Sequence, residues 1–344
     1  MKLAIELGGV QPDNLALTTE WVQLAEKLGV AMAFSAEAWW SDSVTPLAYL
    51  ANQTSRIRLA TGIMQMTART PAMAAMTALT LHDMTDGRFA LGIGASGPQV
   101  VEGLHGIPYS KPLTRLRETV EICRLIFSGE KAEYQGQTIR LPLPDSQGKA
   151  LRIDHEAAEI PIYLATLGPN ALRYTGEAAD GWLGTTFSPD HASAHLDYLR
   201  EGAAKAGRTP GDLDLCVSAR VEIGEDVEAM IQRRKPAVAF NMGGMGSAET
   251  NFYNAAMQRA GFAEDAMAIQ ALWLDRKREE AAARVPDAMV TQFQILGTPA
   301  MVRERLAKYR DAGVTTLKLG LDSTPLGPAR FALLEEIADM AKDL

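Results

Sequence analysis

The chain has 344 residues, of which 47% are hydrophobic and 22% are charged, and its formal net charge is −8. This composition is typical of a folded globular protein with a sizeable core, and it excludes an intrinsically disordered chain. The acidic balance, without any basic run, argues against nucleic acid or an acidic membrane surface as a partner.

Cysteine usage and the chain's start indicate the compartment. Cys123 lies in a helical pattern and Cys216 in a strand pattern, so both are expected to be buried thiols, not parts of a disulfide framework. The first apolar run is interrupted by Glu6 and reads as a strand, not as a signal peptide, and no run is long enough to span a membrane. We therefore expect a cytoplasmic protein.

Strand-like and helix-like runs alternate along the chain, which predicts a parallel sheet. Eight strands can be counted, and this number favours a closed (β/α)8 TIM barrel over an open doubly wound sheet. The predicted strands are Leu3–Leu7, Ala31–Ser35, Ile57–Gly62, Phe89–Ile93, Ile162–Ala165, Gly181–Leu183, Leu215–Ile223 and Thr315–Leu319.

Two segments interrupt the alternation, and we interpret them as insertions into one domain that spans residues 1–344. The first insertion, about 128–160, follows the fourth repeat and contains a hairpin-like Tyr134-Gln-Gly-Gln-Thr. The second insertion, about 225–291, follows the seventh strand and has a helical composition. Because it leaves the carboxyl end of a barrel strand, where barrel enzymes carry their active sites, it is a candidate lid.

A glycine-rich loop, Gly92-Ile-Gly-Ala-Ser-Gly-Pro-Gln, follows the fourth strand. Its small residues would let a flat or anionic ligand lie against the backbone. The spacing Gly-x-Gly-x-x-Gly is a weak signal, and a dinucleotide fingerprint belongs to a first βα unit, so we reject that interpretation. A turn that only needs glycine is the competing interpretation.

The segment Ala165-Thr-Leu-Gly-Pro-Asn-Ala follows the fifth strand and begins a helix. Free N–H groups and the helix dipole make such a position an anion site. A simple helix cap by Asn170, or a turn at Gly168-Pro169, would need no ligand.

The five histidines form no metal-binding pattern, so no metal is expected. His191 and His195 are four residues apart and are expected on a surface helix.

Four segments together resemble the luciferase-like flavin and deazaflavin oxidoreductases, in particular the coenzyme F420-dependent branch. They are Arg58-Leu-Ala-Thr-Gly-Ile, Gly87-Arg-Phe-Ala-Leu-Gly-Ile-Gly, Ser96-Gly-Pro-Gln-Val-Val-Glu-Gly and Ala178-Ala-Asp-Gly-Trp. The resemblance covers nearly the whole chain and implies a TIM barrel that binds F420, transfers a hydride to or from a small organic substrate and forms a homodimer.

The resemblance also implies site residues. It implies that the deazaflavin ring lies against a non-prolyl cis peptide at Gly62–Ile63 and against the glycine loop, and that the cofactor's phosphate lies at the start of the helix after strand five. The implied cofactor-binding residues are Thr61, Gly62, Ile63, Gly94, Ala95, Ser96, Gly97, Ala165, Thr166, Leu167, Gly168, Pro169 and Asn170.

Glu37 follows the second strand, where a barrel carries catalytic groups, and Trp39 and Trp40 follow it. We expect Glu37 to be catalytic, as a proton donor or by orienting substrate, and the two tryptophans to bind substrate. The family usually has Asp followed by His here, so Ala38 removes an imidazole. A solvated acid and packing under the barrel rim are the alternative interpretations.

Two other functions stay open at this stage. An FMN-dependent monooxygenase of the same fold would activate oxygen, and a barrel that binds the cofactor without turnover would follow from the lost imidazole. Because a deazaflavin carries the hydride chemistry itself, few acid–base residues are needed for the first interpretation.

Overall fold

The chain divides into two compact units in the structure, a computed structural model that describes residues 1–11, 13–37, 40–247 and 249–343. Unit 1 consists of Met1–Glu6, Ala16–Ala31 and Thr166–Leu344, and unit 2 consists of Leu7–Leu15 and Met32–Ala165. The single domain predicted from the sequence stays a prediction.

Most strands are short and begin or end at glycine or polar residues. They are β1 Lys2–Glu6, β2 Met32–Ser35, β3 Arg58–Thr61, β4 Met64–Gln65, β5 Phe89–Gly94, β6 Tyr134–Gln135, β7 Arg140–Leu141, β8 Ile162–Ala165, β9 Gly181–Gly184, β10 Asp214–Ile223, β11 Ile295–Gly297 and β12 Thr316–Gly320.

Many of the helices have proline in their first turn, where its missing N–H costs nothing. They are α1 Leu15–Lys27, α2 Thr45–Ala51, α3 Pro71–Met84, α4 Pro98–Gly103, α5 Pro112–Phe127, α6 Pro169–Ala178, α7 Ser193–Lys205, α8 Val227–Gly243, α9 Phe252–Met257, α10 Ala263–Leu274, α11 Arg278–Ala283, α12 Asp287–Thr291, α13 Pro299–Asp311 and α14 Pro328–Ala341.

Unit 2 contains four of the predicted barrel strands, in the order β2, β3, β5 and β8, all parallel. One side of these strands is made of buried large apolar residues such as Leu59, Phe89 and Leu91. The first insertion adds a separate antiparallel pair, β6 and β7, so the predicted hairpin is confirmed. The buried carboxylate of Glu118 on α5 accepts hydrogen bonds from the backbone of Thr138 and thereby holds this hairpin to the unit.

Unit 1 contains the other four, with β9, β10, β12 and β1 as parallel neighbours. All eight predicted strands are therefore present, and eight βα repeats are those of a (β/α)8 TIM barrel. Two strands were not predicted. β4 has only two residues, and β11, which pairs with β10, has three and follows directly on the second insertion.

The second insertion consists of helices α8 to α12 and has an apolar core of its own. Met242 is buried in that core, and Tyr253 and Trp273 pack against it. These contacts stabilise the insertion. In the described part of the chain no helix combines the length and the apolar character needed to cross a membrane.

Candidate functional site

Glu37 follows β2, and both oxygens of its carboxylate accept hydrogen bonds from the protein. Its Oε1 accepts from the backbone N–H of Gln65 at 2.7 Å and from Arg69 Nη1 at 2.7 Å. Its Oε2 accepts from the N–H and the hydroxyl of Ser43 at 3.1 and 3.0 Å, and from Arg69 at 3.0 Å. The side chain is only 8% exposed.

The backbone of Glu37 bonds to the same segment. Its N–H donates to the carbonyl of Ile63 at 3.2 Å, and its carbonyl accepts from the side-chain amide of Gln65 at 3.1 Å. Since each carboxylate oxygen already accepts at least two hydrogen bonds from the protein, these contacts make Glu37 a brace for residues 63–65. They give no support to the expected role of proton donor.

The segment that Glu37 braces leaves β3 and joins the sheet again as β4. Thr61 exchanges two hydrogen bonds with Gly92, both at 2.8 Å, and Gly62 donates to the carbonyl of Ser35 at 2.7 Å. The peptide bond between Gly62 and Ile63 is cis. A Cβ atom at Gly62 would lie 2.7 Å from the Phe34 ring, so only glycine fits here without displacement.

Small residues share one face of the unit 2 strands. The registers put Ala60, Gly92, Gly94 and Ala165 on the face that also carries Phe34. A Cβ atom on Gly94 would lie 2.5 Å from Ile63 Cδ1 and 3.3 Å from Ala165 Cβ. The carboxyl ends of β5 and β8 therefore carry small residues on this face, and the Ile63 side chain packs against Gly94.

The loop after β5 continues from this face as Ala95, Ser96 and Gly97. Ser96 has a left-handed backbone, with φ at 57°, and its carbonyl accepts from the Tyr109 hydroxyl at 3.2 Å. Gly97 has open space around it, since no atom lies within 4 Å of the position of a Cβ. The two ends of the loop differ: Gly94 is tightly packed, while Gly97 borders a space that a ligand can fill.

Of the two tryptophans after Glu37, only Trp40 lies within the described residues. Trp39, like Ala38, lies outside the described residues, so its predicted role is untested. Trp40 is 55% exposed, and its ring lies beside Gly9, 3.6 Å from the position that a Cβ atom there would take. Its role in substrate binding stays a prediction.

Residues 166–170, named here the anion loop, lead into α6 in unit 1. The Thr166 hydroxyl bonds to that of Thr175 at 2.7 Å, and the Thr166 carbonyl accepts from the Trp182 indole at 2.9 Å. Gly168 caps α6 without any side-chain hydrogen bond, and a Cβ atom there would meet nothing within 4 Å. Asn170 therefore is not the helix cap, and the first N–H groups of α6 have no intrahelical acceptor.

A charged face was missed in the sequence. The register puts Ala4, Lys318 and Ser218 side by side, so Glu6, two residues beyond Ala4, lies on the same face as Lys318. Lys318 Nζ is 2.7 Å from Glu6 Oε1, and the Lys318 side chain is only 10% exposed. Arg220, on the same face of β10, forms an ion pair with Asp322.

The charges around Glu6 set the direction of its pKa shift. Withdrawal from water works to raise the pKa of Glu6, but the charge and hydrogen bond of Lys318 outweigh it, with help from Arg220, and hold that pKa below its ordinary value. Glu6 ends β1, and Lys318 is the middle residue of β12. The sequence signal was the charge of Lys318 within an otherwise uncharged strand and that of Glu6 directly after three apolar residues.

The family can now be identified from comparisons with known proteins. The model of the luciferase-like monooxygenase family matches residues 4–316. The chain belongs to this family. A Mycobacterium tuberculosis protein named as a coenzyme F420-dependent oxidoreductase is 41% identical over 329 residues, which cover 92% of this chain and 94% of that protein.

Two solved structures have the same fold as this luciferase-like chain. The coenzyme F420-dependent tetrahydromethanopterin reductase of Methanopyrus kandleri has a TM-score of 0.78 at 25% identity, over 98% of this chain and 97% of that one. The oxygenating constituent of 3,6-diketocamphane monooxygenase from Pseudomonas putida, solved with FMN, has a TM-score of 0.67 at 20% identity, over 100% and 98%.

The luciferase-like chain has two histidines on or beside α7, and the expectation that both lie on a surface is wrong for one. His195 is 1% exposed and packs against the rings of Trp182 and Phe187 at 5.4 and 6.1 Å. The sequence did not show that Trp182 and Phe187, which precede α7, cover this position. His191 is half-buried and bonds to Gln292 at 2.7 Å. In the described residues no three His, Cys, Asp or Glu side chains are grouped to hold a metal.

The burial of His195 predicts a pH dependence of stability. Burial, aided by the charge of Arg259, lowers the pKa of His195 to about 4 from an ordinary value of 6.5. The unfolded chain binds more protons between these values, so the stability from this group is complete above the unfolded pKa and is lost as the pH falls toward the folded one. Between pH 7 and pH 5 we expect a loss of about 2 kcal/mol that His195→Phe does not show.

The measurement is urea unfolding of both proteins at the two pH values. Because only the change with pH is compared, any constant effect of the larger Phe ring cancels. Equal losses in the wild type and in His195→Phe would contradict a neutral buried imidazole.

Proposed function

We propose that the chain is an F420-dependent oxidoreductase that transfers a hydride between the deazaflavin and a small organic substrate. The observation that carries the proposal is the face of small residues at the carboxyl ends of β5 and β8 in unit 2, in a chain whose relative of 41% identity is named for F420. The loop that follows β5 has open space at Gly97, where a planar ring can approach the backbone. The bound cofactor itself would supply the hydride chemistry.

The residues present fit the two parts of this cofactor. We assign the ring to Thr61, Gly62, Ile63 and the loop Gly94–Gly97. We assign the phosphate to the anion loop, which also includes Pro169 and is preceded by Ala165. Open space at Gly168 and the unbonded N–H groups of α6 support the second assignment.

Two further residues complete the proposal. We assign Trp40 to substrate binding and Glu37 to positioning residues 63–65 beside the ring. Homodimer formation and a cytoplasmic location remain proposals that the resemblance and the two buried thiols support.

The first test is a fluorescence titration of the purified protein with F420 and, separately, with FMN. We expect F420 to bind at least about tenfold more tightly than FMN, a difference of about 1.4 kcal/mol. Tighter binding of FMN would favour the monooxygenase of the same fold. If F420 binds but reduced F420 is not oxidised by any member of a panel of enones, imines and quinones, the barrel that only binds cofactor is favoured.

The second test concerns the anion loop. Gly168→Asp adds a carboxylate where a side chain has room, and it should weaken F420 binding by about tenfold or more through charge repulsion. The isosteric Gly168→Asn is the control and should bind nearly as the wild type does. A carboxylate at a helix N-terminus stabilises the helix, so a melting temperature that holds or rises would exclude misfolding. If Gly168→Asp and Gly168→Asn bind F420 with equal affinity, the phosphate does not bind at the anion loop.

The third test separates two roles of Glu37. Glu37→Gln breaks the ion pair with Arg69 and turns one acceptor into a donor facing other donors. As a positioning residue, Glu37 should lose about tenfold in F420 affinity on this change. The exposed Glu133→Gln is the control. Unchanged affinity together with turnover lowered by about 100-fold would restore the proton-donor role.

A further inference from the structure

A kinked turn, Gln258–Phe262, joins α9 to α10 in the second insertion. Gly261 has φ at +94° inside the turn and no atom within 4 Å of a Cβ position, so the kink depends on glycine's backbone freedom. Phe262 anchors one end, with its ring edge-on to those of Phe293 and His191 at 5.9 and 5.7 Å.

Arg259 projects from this turn to the anion loop. Its Nη2 donates to the carbonyl of Leu167 at 2.6 Å, while Nη1 donates to the carbonyl of Ala255 on its own helix at 3.1 Å. The neighbouring titratable groups are His195 and Tyr198. Among the described residues no carboxylate lies within 4.0 Å of the guanidinium, which is half-buried. Its positive charge therefore is not neutralised locally.

The bond to Leu167 has a geometric consequence. In a planar trans peptide the carbonyl and the following N–H point in opposite directions. Drawing the Leu167 carbonyl toward Arg259 therefore turns the N–H of Gly168, the cap of α6, to the other side. The bond to Arg259 also directs the Leu167 carbonyl oxygen, the negative end of the dipole, away from the helix N-terminus. The oxygen therefore does not repel an anion there.

We propose that Arg259 is a positioning residue of the anion loop, through which the second insertion sets the direction of the Gly168 N–H for the phosphate of the cofactor. The proposal rests on the proposed function for the identity of the anion, but the contact between the turn and the loop is independent of it. It gives the second insertion a task in cofactor binding that does not require it to move as a lid.

The experiment compares four proteins: the wild type, Arg259→Met, Arg259→Lys and Arg278→Met. Arg278 lies on the same insertion over the Trp273 ring and is the matched control. Each is titrated with F420 and with the deazaflavin chromophore that lacks the phosphate chain. We expect Arg259→Met to lose about tenfold or more for F420 and less than about threefold for the chromophore. Arg259→Lys should recover most of the loss, and Arg278→Met should show none.

Amide hydrogen exchange without ligand is the second readout. Residues 166–172 should exchange faster in Arg259→Met than in the wild type. In Arg278→Met their exchange rates should equal those of the wild type. Equal weakening for both ligands, or unchanged exchange in the loop, would overturn the positioning role. If the wild type binds no F420, the proposed function fails, and the exchange comparison alone decides whether Arg259 holds the loop.

Discussion

The end of β3 imposes the constraint on which the rest of the unit 2 surface depends. Between the pairs Ala60–Ala90 and Met64–Ile93 the chain has one residue more than β5 has, so the ladder is broken by a bulge. Backbone groups freed by such a break need other partners. Glu37 supplies them from both its carboxylate and its backbone, and Arg69 holds the carboxylate in turn.

This arrangement explains why an acid in an active-site position need not be an acid catalyst. A carboxylate with donors on both oxygens is rigid and already satisfied, while its removal would leave the N–H of Gln65 and the Arg69 charge without their acceptor. The carboxylate contacts of Glu37 go to the backbone N–H groups of Gln65 and Ser43, to the Ser43 hydroxyl and to the Arg69 guanidinium.

Periodicity predicted the strands well because most of the eight are short apolar runs ended by glycine or a polar residue, while β10 alternates buried residues with polar ones such as Ser218 and Arg220. The glycine loop and the anion loop were found for the same local reason. Contacts between distant segments could not be found: Arg69 is 32 residues from Glu37, and Arg259 is 92 from Leu167. Likewise Glu6 and Lys318 meet only through the register of β1 and β12.

The two units differ in how their charged groups are paired. In unit 2 the Glu37 carboxylate is fully engaged in bonds that hold residues 63–65, Ser43 and Arg69 in place. In unit 1 Lys318 is paired with Glu6 on the strands, whereas Arg259, within the described residues, bonds only to backbone carbonyls and lies beside a helix N-terminus, whose N–H groups favour an anion. The start of α6 therefore has two sources of positive potential within one unit, the first N–H groups of the helix and the Arg259 guanidinium.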